Sequence, residues 1–156
     1  MFIEAGDKVQ IKNLLMGLIV QSGNDSAVAL AEHIAGSEEG FADLMNQTAA
    51  ELGMANSHFV NSAGMPHPDH YTTARDVTLL TRAIIDQQPD HYAMYAIREF
   101  TWNDITQKNR NPLLGRDSSI DGVKTGHTRS AGYCLVGSAE RDGMRLIGTV
   151  IGAKSN

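Results

Sequence analysis

The sequence predicts an α+β fold, a helical subdomain followed by an antiparallel sheet. Three observations carry this. Apolar residues recur at three- and four-residue spacing through the first two-thirds of the chain. From Phe100 the period shortens towards alternation. Asp142-Gly143 then separates two strand-like runs, and this dipeptide tolerates the positive φ angles of a tight hairpin turn. The expected division is a helical part at about 11–98 and a sheet part at about 100–153, within one domain over 1–156.

Asp7 to Val9 reads as a short extended or turn segment. Ile11, Leu14, Leu15, Leu18 and Ile19 share one face of a first helix, which Ser22-Gly23-Asn24 interrupts with turn chemistry. A second helix turns Val28, Leu30, Ala31, Ile34 and Ala35 inward and stops at Gly36. Ser37 caps a third, with Glu38 and Glu39 in its first turn, where carboxylates suit the positive end of the helix dipole. Its stripe is Phe41, Leu44, Met45, Thr48 and Leu52, and Gly53 ends it.

Asn56 to His70, with Gly64, Pro66 and Pro68, reads as a loop. Thr73-Ala74-Arg75-Asp76 has the form of a capping box opening a helix from Ala74 to about Gln87, with Pro89 just beyond. His91 to Ile97 reads as a short helix. Phe100-Thr101-Trp102 is strand-like, Asn103-Asp104 a turn, and Gln107 to Asp117 a polar loop. Strands are expected at Ile120 to Lys124, Gly132 to Glu140 and Met144 to Gly152. Both faces of the last hairpin are apolar or small: Tyr133, Leu135 and Ala139 alternate with Cys134 and Val136. Such a sheet is patterned to be covered on both sides, and the helices present can cover one.

The bulk properties exclude some classes. The 156 residues suffice for one domain with a core. A net charge of −5 and a pI near 5.6, with no Lys/Arg stripe, argue against nucleic acid. The longest apolar run, Leu14 to Val20, is too short to span a bilayer, and no secretory signal follows Met1. Cys134, the single cysteine, cannot form an internal disulfide and reads as a small core residue.

Two short motifs carry the chemistry. Lys124-Thr125-Gly126 ends a strand, and Ser22-Gly23-Asn24 sits on an interhelical turn. Either alone is weak, because tripeptides occur by chance. Together and in this order they resemble the later two of three catalytic motifs, S-x-x-K, S-D-N and K-T-G, of β-lactamases and penicillin-binding proteins, with glycine here in place of the aspartate of the second. A hydroxyl, an amide and a lysine brought together from distant points make a site for an anionic acyl substrate. The first motif is absent: no serine here has a lysine three residues on.

"LIVQSGNDSAVALAEHIAGS", "FADLMNQTAAELGM", "HFVNSAGM", "YTTARD", "EFTWNDITQKNRN" and "DGVKTGHTRSAGYCLVGSAERDGMRLIGTVIGA" extend the likeness over essentially the whole chain. The chain resembles the serine D-alanyl-D-alanine carboxypeptidases, the low-molecular-mass penicillin-binding proteins that trim peptidoglycan pentapeptides in the bacterial periplasm. The resemblance implies a β-lactamase/transpeptidase-like fold, incomplete at both ends. The S-x-x-K helix and two strands would precede Met1, and a helix on the sheet would follow Asn156. A further β domain and a membrane anchor often complete the family. The chain is therefore expected to be an internal fragment, inactive alone.

The resemblance also implies roles. Ser22 passes a proton towards the leaving D-alanine amine. Asn24 orients the lysine of the absent motif and binds the substrate's amide. Lys124 supplies positive potential, Thr125 hydrogen-bonds the terminal carboxylate, and Gly126 lets the substrate backbone approach closely. The His127 backbone N–H is one oxyanion donor. Arg110 matches the family arginine that holds the carboxylate, with a solvated loop arginine as the competing reading. No cofactor and no metal are expected. His67-Pro68-Asp69-His70, His33, His58 and His91 read as surface residues. Met65 stands where the family usually has leucine, and Trp102 reads as packing. The expected ligands are stem peptides ending in D-Ala-D-Ala and β-lactams, with self-association through exposed sheet. Two alternatives stay open: a β-lactamase or endopeptidase relative, and a non-catalytic module that holds such peptides.

Overall fold

A computed structural model describes residues 1–155 and shows helices first, then two antiparallel sheets. The helices are α1 (Ile11–Gln21), α2 (Asn24–Ala35), α3 (Glu38–Glu51), α4 (Ala74–Gln87) and α5 (Pro89–Tyr92), and a 3₁₀ turn at Ala93–Ala96 follows α5. β1 (Glu99–Trp102) and β2 (Ile105–Lys108) form a hairpin of their own. β3 (Ile120–Thr128), β4 (Gly132–Arg141) and β5 (Met144–Ala153) form the main sheet in the order β3-β4-β5.

α1 is the centre of the helical part. Met16, Ile19 and Val20 form its core, with Met94, Tyr95, Ile97 and Phe100 packed against them. The helix is buried more nearly all round than a single apolar stripe requires, because it lies between α2 on one side and the 3₁₀ turn with β1 and β2 on the other. Ile11 and Ile34, expected inward, are 50% and 58% exposed. Both stand at the helix ends furthest from the Ser22–Asn24 turn, where the pairing of α1 and α2 runs out.

Other boundaries also differ from expectation. Pro89 does not merely follow α4; it opens α5 at a first-turn position, where its missing N–H costs nothing. The helix expected from His91 to Ile97 becomes the end of α5 and the 3₁₀ turn. Gln107 and Lys108 belong to β2 rather than to a loop. β3 continues past Lys124 to Thr128, because β4 pairs with it as far as Thr128 opposite Gly132. The Thr73 hydroxyl caps α4 by accepting from the Asp76 N–H. Asp76 completes no reciprocal box; its carboxylate turns to Asn56 and Ser57 instead.

The main sheet has one packed face and one open face. On the packed face α4 lies against β5, and the Thr78 and Thr149 hydroxyls meet at 2.8 Å. Tyr92 donates to Asp121, and Arg145 joins Asp121, Glu140 and Ser138. Burial, with the neighbouring Asp121 carboxylate, pushes the Tyr92 hydroxyl up to about 12. Gly122 has no room for a side chain there, since a Cβ would stand 2.8 Å from the Tyr92 hydroxyl. On the open face Met144, Leu146 and Val150 are 62%, 65% and 53% exposed.

Candidate active site

The site forms where the α1–α2 turn meets β3. α1 ends in a left-handed cap at Ser22, with φ 59° and ψ 42°, and its N–H closes on Leu18 O at 3.0 Å. A non-glycine residue in this region is uncommon, and such residues concentrate at functional positions. The cap places the Ser22 hydroxyl in contact with Lys124: Nζ donates to Oγ at 2.6 Å and to Thr125 O at 2.9 Å. Gly23 follows in a space too small for a side chain, because a Cβ would lie 2.8 Å from Asp25 Oδ1 and 3.1 Å from Ser26 Oγ. A side chain at this position would have to displace those two side chains.

Lys124 is largely withdrawn from water. Burial first, and the positive charge of Arg110 second, pull its ammonium down to about 8. Arg110 is placed by a bond from its own backbone and by bonds to its neighbours in the chain. Its N–H donates to Val20 O at 3.2 Å, and Gln21 Nε2 donates to Lys108 O at 2.8 Å. The first of these satisfies one of the carbonyls that a helix C-terminus leaves without a partner. Asn109 holds the same segment through Ile97 O and the Asn111 N–H. The end of α1 thus fixes both the hydroxyl of Ser22 and the loop that carries Arg110.

Ser22, Asn24, Arg110, Lys124, Thr125, Gly126 and His127 all line one open cleft of about 1140 Å³. Asn24 is exposed, and its Nδ2 lies 3.6 Å from Met65 Sδ. His127 stacks on Tyr133 across the β3–β4 ladder, with ring centroids 4.2 Å apart. Two cationic side chains and the hydroxyls of Ser22 and Thr125 thus face one volume. That arrangement suits an anion with an extended backbone beside it. Among the described residues no group of three or more His, Cys, Asp or Glu side chains is placed to hold a metal ion, and no helix is long and apolar enough to cross a membrane.

The roof of the cleft is a loop, 54–73, whose supports the sequence conceals. Asn46 on α3 holds Phe59 in both directions, donating to its O at 2.7 Å and accepting its N–H at 2.8 Å. Glu38 accepts the N–H and hydroxyl of Ser62 at 2.9 and 2.6 Å. Asn61 and Met65 exchange two further bonds. Asp76, 1% exposed, accepts Asn56 N–H and Ser57 Oγ–H, both at 2.8 Å. In sequence Glu38 and Asn46 look like the solvated face of a helix, and only the polarity of Asp76 within a helix pattern is a signal.

The fold and the cleft together define a protein of the penicillin-binding type. Crystal structures support that class. The D-alanyl-D-alanine carboxypeptidase DacD from Francisella tularensis matches with a TM-score of 0.97 at 37% identity, covering 99% of this chain and 50% of that one. Penicillin-binding protein D2 from Listeria monocytogenes, in its cefotaxime-bound form, matches with a TM-score of 0.87 at 31% identity, covering 94% of this chain and 60% of that one. The chain belongs to the D-alanyl-D-alanine carboxypeptidase family, peptidase family S11, whose model it matches over residues 1–155. It is similar to the D-alanyl-D-alanine carboxypeptidase DacC of Escherichia coli, with 47% identity over 157 aligned positions. That alignment spans 100% of this chain and 39% of the relative's length.

Proposed function

We propose that this chain contributes the carboxylate-gripping half of the site in a serine D-Ala-D-Ala carboxypeptidase. The parent enzyme removes the terminal D-alanine of peptidoglycan stem peptides through an acyl-enzyme, in the periplasm, and β-lactams inhibit it by acylating the same serine. The observation that carries this reading is the contact of Ser22 with Lys124, 102 residues apart, in a chain of the D-alanyl-D-alanine carboxypeptidase family. The cefotaxime-bound relative supports β-lactam recognition by this type of cleft.

In this reading Lys124 and Arg110 hold the substrate carboxylate, and Thr125 hydrogen-bonds it. Asn24 meets the substrate amide, and the His127 N–H stabilises the oxyanion. Ser22, already bonded to Lys124, relays a proton to the departing D-alanine amine. The acylated serine is not among these residues. The family's acylated serine stands in S-x-x-K, and none of the serines here has a lysine three residues on; Ser22 touches Lys124, but that lysine is mainly charged near pH 7 and donates to the Ser22 hydroxyl. The chain alone therefore forms no acyl-enzyme. Intact-mass measurement after incubation with benzylpenicillin tests this. The expected mass is unchanged, and an adduct on Ser22 would overturn the role given to it.

A further inference from the structure

Met65 stands on the roof loop with its backbone pinned. Its N–H donates to Asn61 Oδ1 at 2.8 Å, and its O accepts from Asn61 Nδ2 at 2.9 Å. From that anchor the thioether reaches α2, where Asn24 Nδ2 donates to Sδ at 3.6 Å. Met65 is 51% exposed and lines the same cleft as Ser22, Lys124 and Thr125. We infer that Met65 is a site of oxidation by peroxides, and that its sulfoxide clamps the Asn24 amide and weakens peptide binding; the inference rests on the cleft being a peptide site.

The argument starts from access. Oxidation of methionine follows exposure of its sulfur, and Met16 and Met54 are buried. Met144 is also exposed, on β5, but it does not line the cleft. Met65 is thus open to a small oxidant and in contact with a motif residue. In the reaction its sulfur attacks one oxygen of hydrogen peroxide and the O–O bond breaks. The hydroxide released takes the proton of the new S–OH, which leaves a sulfoxide and water. The sulfur is oxidised by two electrons and the peroxide is reduced by two. A sulfoxide reductase reverses the change.

The consequence follows from the Asn24 contact. A thioether is a weak acceptor, whereas the sulfoxide is polar and carries a strong acceptor oxygen. The rotatable bonds of methionine let that oxygen settle at N–H···O distance from Asn24 while the loop stays in place. Among the described residues the Asn24 side chain has no other hydrogen bond, so nothing competes with the new one. Held by the sulfoxide, the amide is withdrawn from the substrate. A leucine at position 65 would offer neither the reactive sulfur nor the acceptor.

Cys134 also lines the cleft and can react with peroxide, so the test uses the ¹⁵N-labelled Cys134→Ser chain before and after hydrogen peroxide. Peptide mass mapping is expected to find Met65 and Met144 oxidised well before Met16 and Met54. The Asn24 side-chain amide signals should move on oxidation. Acetyl-D-Ala-D-Ala, followed at the amides of Thr125 to His127, should then bind about three- to tenfold more weakly. Methionine sulfoxide reductase should restore both. Adding Met65→Leu should abolish the response to peroxide, and adding Met144→Leu should keep it. A Met65 that oxidises no faster than Met16 and Met54 overturns the site of oxidation. Met65 sulfoxide with unmoved Asn24 signals, or with undiminished peptide affinity, overturns the clamp and leaves the peptide site standing. A peptide that leaves Thr125 to His127 unmoved before any peroxide is added refutes the peptide site and the control of binding with it.

Discussion

Ser22 and Lys124 illustrate how single residues are prepared by their surroundings. The left-handed cap aims the Ser22 hydroxyl, and burial beside Arg110 weakens the hold of Lys124 on its proton. Near pH 7 the lysine is still mainly charged, and the charge leaves as pH rises through about 8. Asp76 is the opposite case. Burial alone would raise its carboxyl, but bonds from Ser57, Asn56 and Thr73 outweigh that and hold it below its ordinary 3.8. A depressed carboxyl stabilises the fold above its unfolded value and loses that contribution as pH falls through the folded value. Asp76→Asn is therefore expected to lower the urea midpoint at neutral pH and to lose less further stability than the natural chain between pH 4 and 3. The check is a pair of urea melts at each pH. Equal midpoints for both chains at neutral pH would show that the loop is held without this carboxylate.

At the scale of elements, those that repeat a local rule were legible. Ser37 caps α3 and Thr73 caps α4, each accepting an N–H three residues on. Asp142-Gly143 turns the β4–β5 hairpin with both residues at positive φ. The motifs of the cleft were likewise legible, and the structure brings Ser22 of one into contact with Lys124 of the other. What stayed hidden depends on contacts between distant segments. Nothing local in Glu38 or Asn46 says that each holds the roof loop 24 or 13 residues away. The Met65 thioether, standing where the family usually has leucine, reaches the Asn24 amide, and periodicity carries no information about that meeting. The length of β3 beyond Lys124 was hidden for the same reason, since pairing with β4 rather than its own composition extends it.

For the whole molecule the consequential feature is the open face of the main sheet, with Met144, Leu146 and Val150 exposed on its outer strand β5. Apolar residues beside an unpaired strand edge favour association between copies. The chain is expected to associate with itself at micromolar concentration. Light scattering across a dilution series checks this, and Leu146→Lys should shift the balance towards monomer. A monodisperse monomer at every concentration would show that this face is tolerated in water.

The central claim is that Lys124, Arg110 and Thr125 grip a terminal carboxylate. The most direct measurement compares acetyl-D-Ala-D-Ala with its C-terminal amide, by NMR titration at pH 7 and pH 9. At pH 7 the acid is expected to bind roughly tenfold tighter. At pH 9 the preference should shrink, because Lys124, held down to about 8, has then lost its charge while Arg110 keeps its own. Equal affinity for acid and amide at pH 7, or a preference unchanged at pH 9 and in Lys124→Ala, would contradict the account.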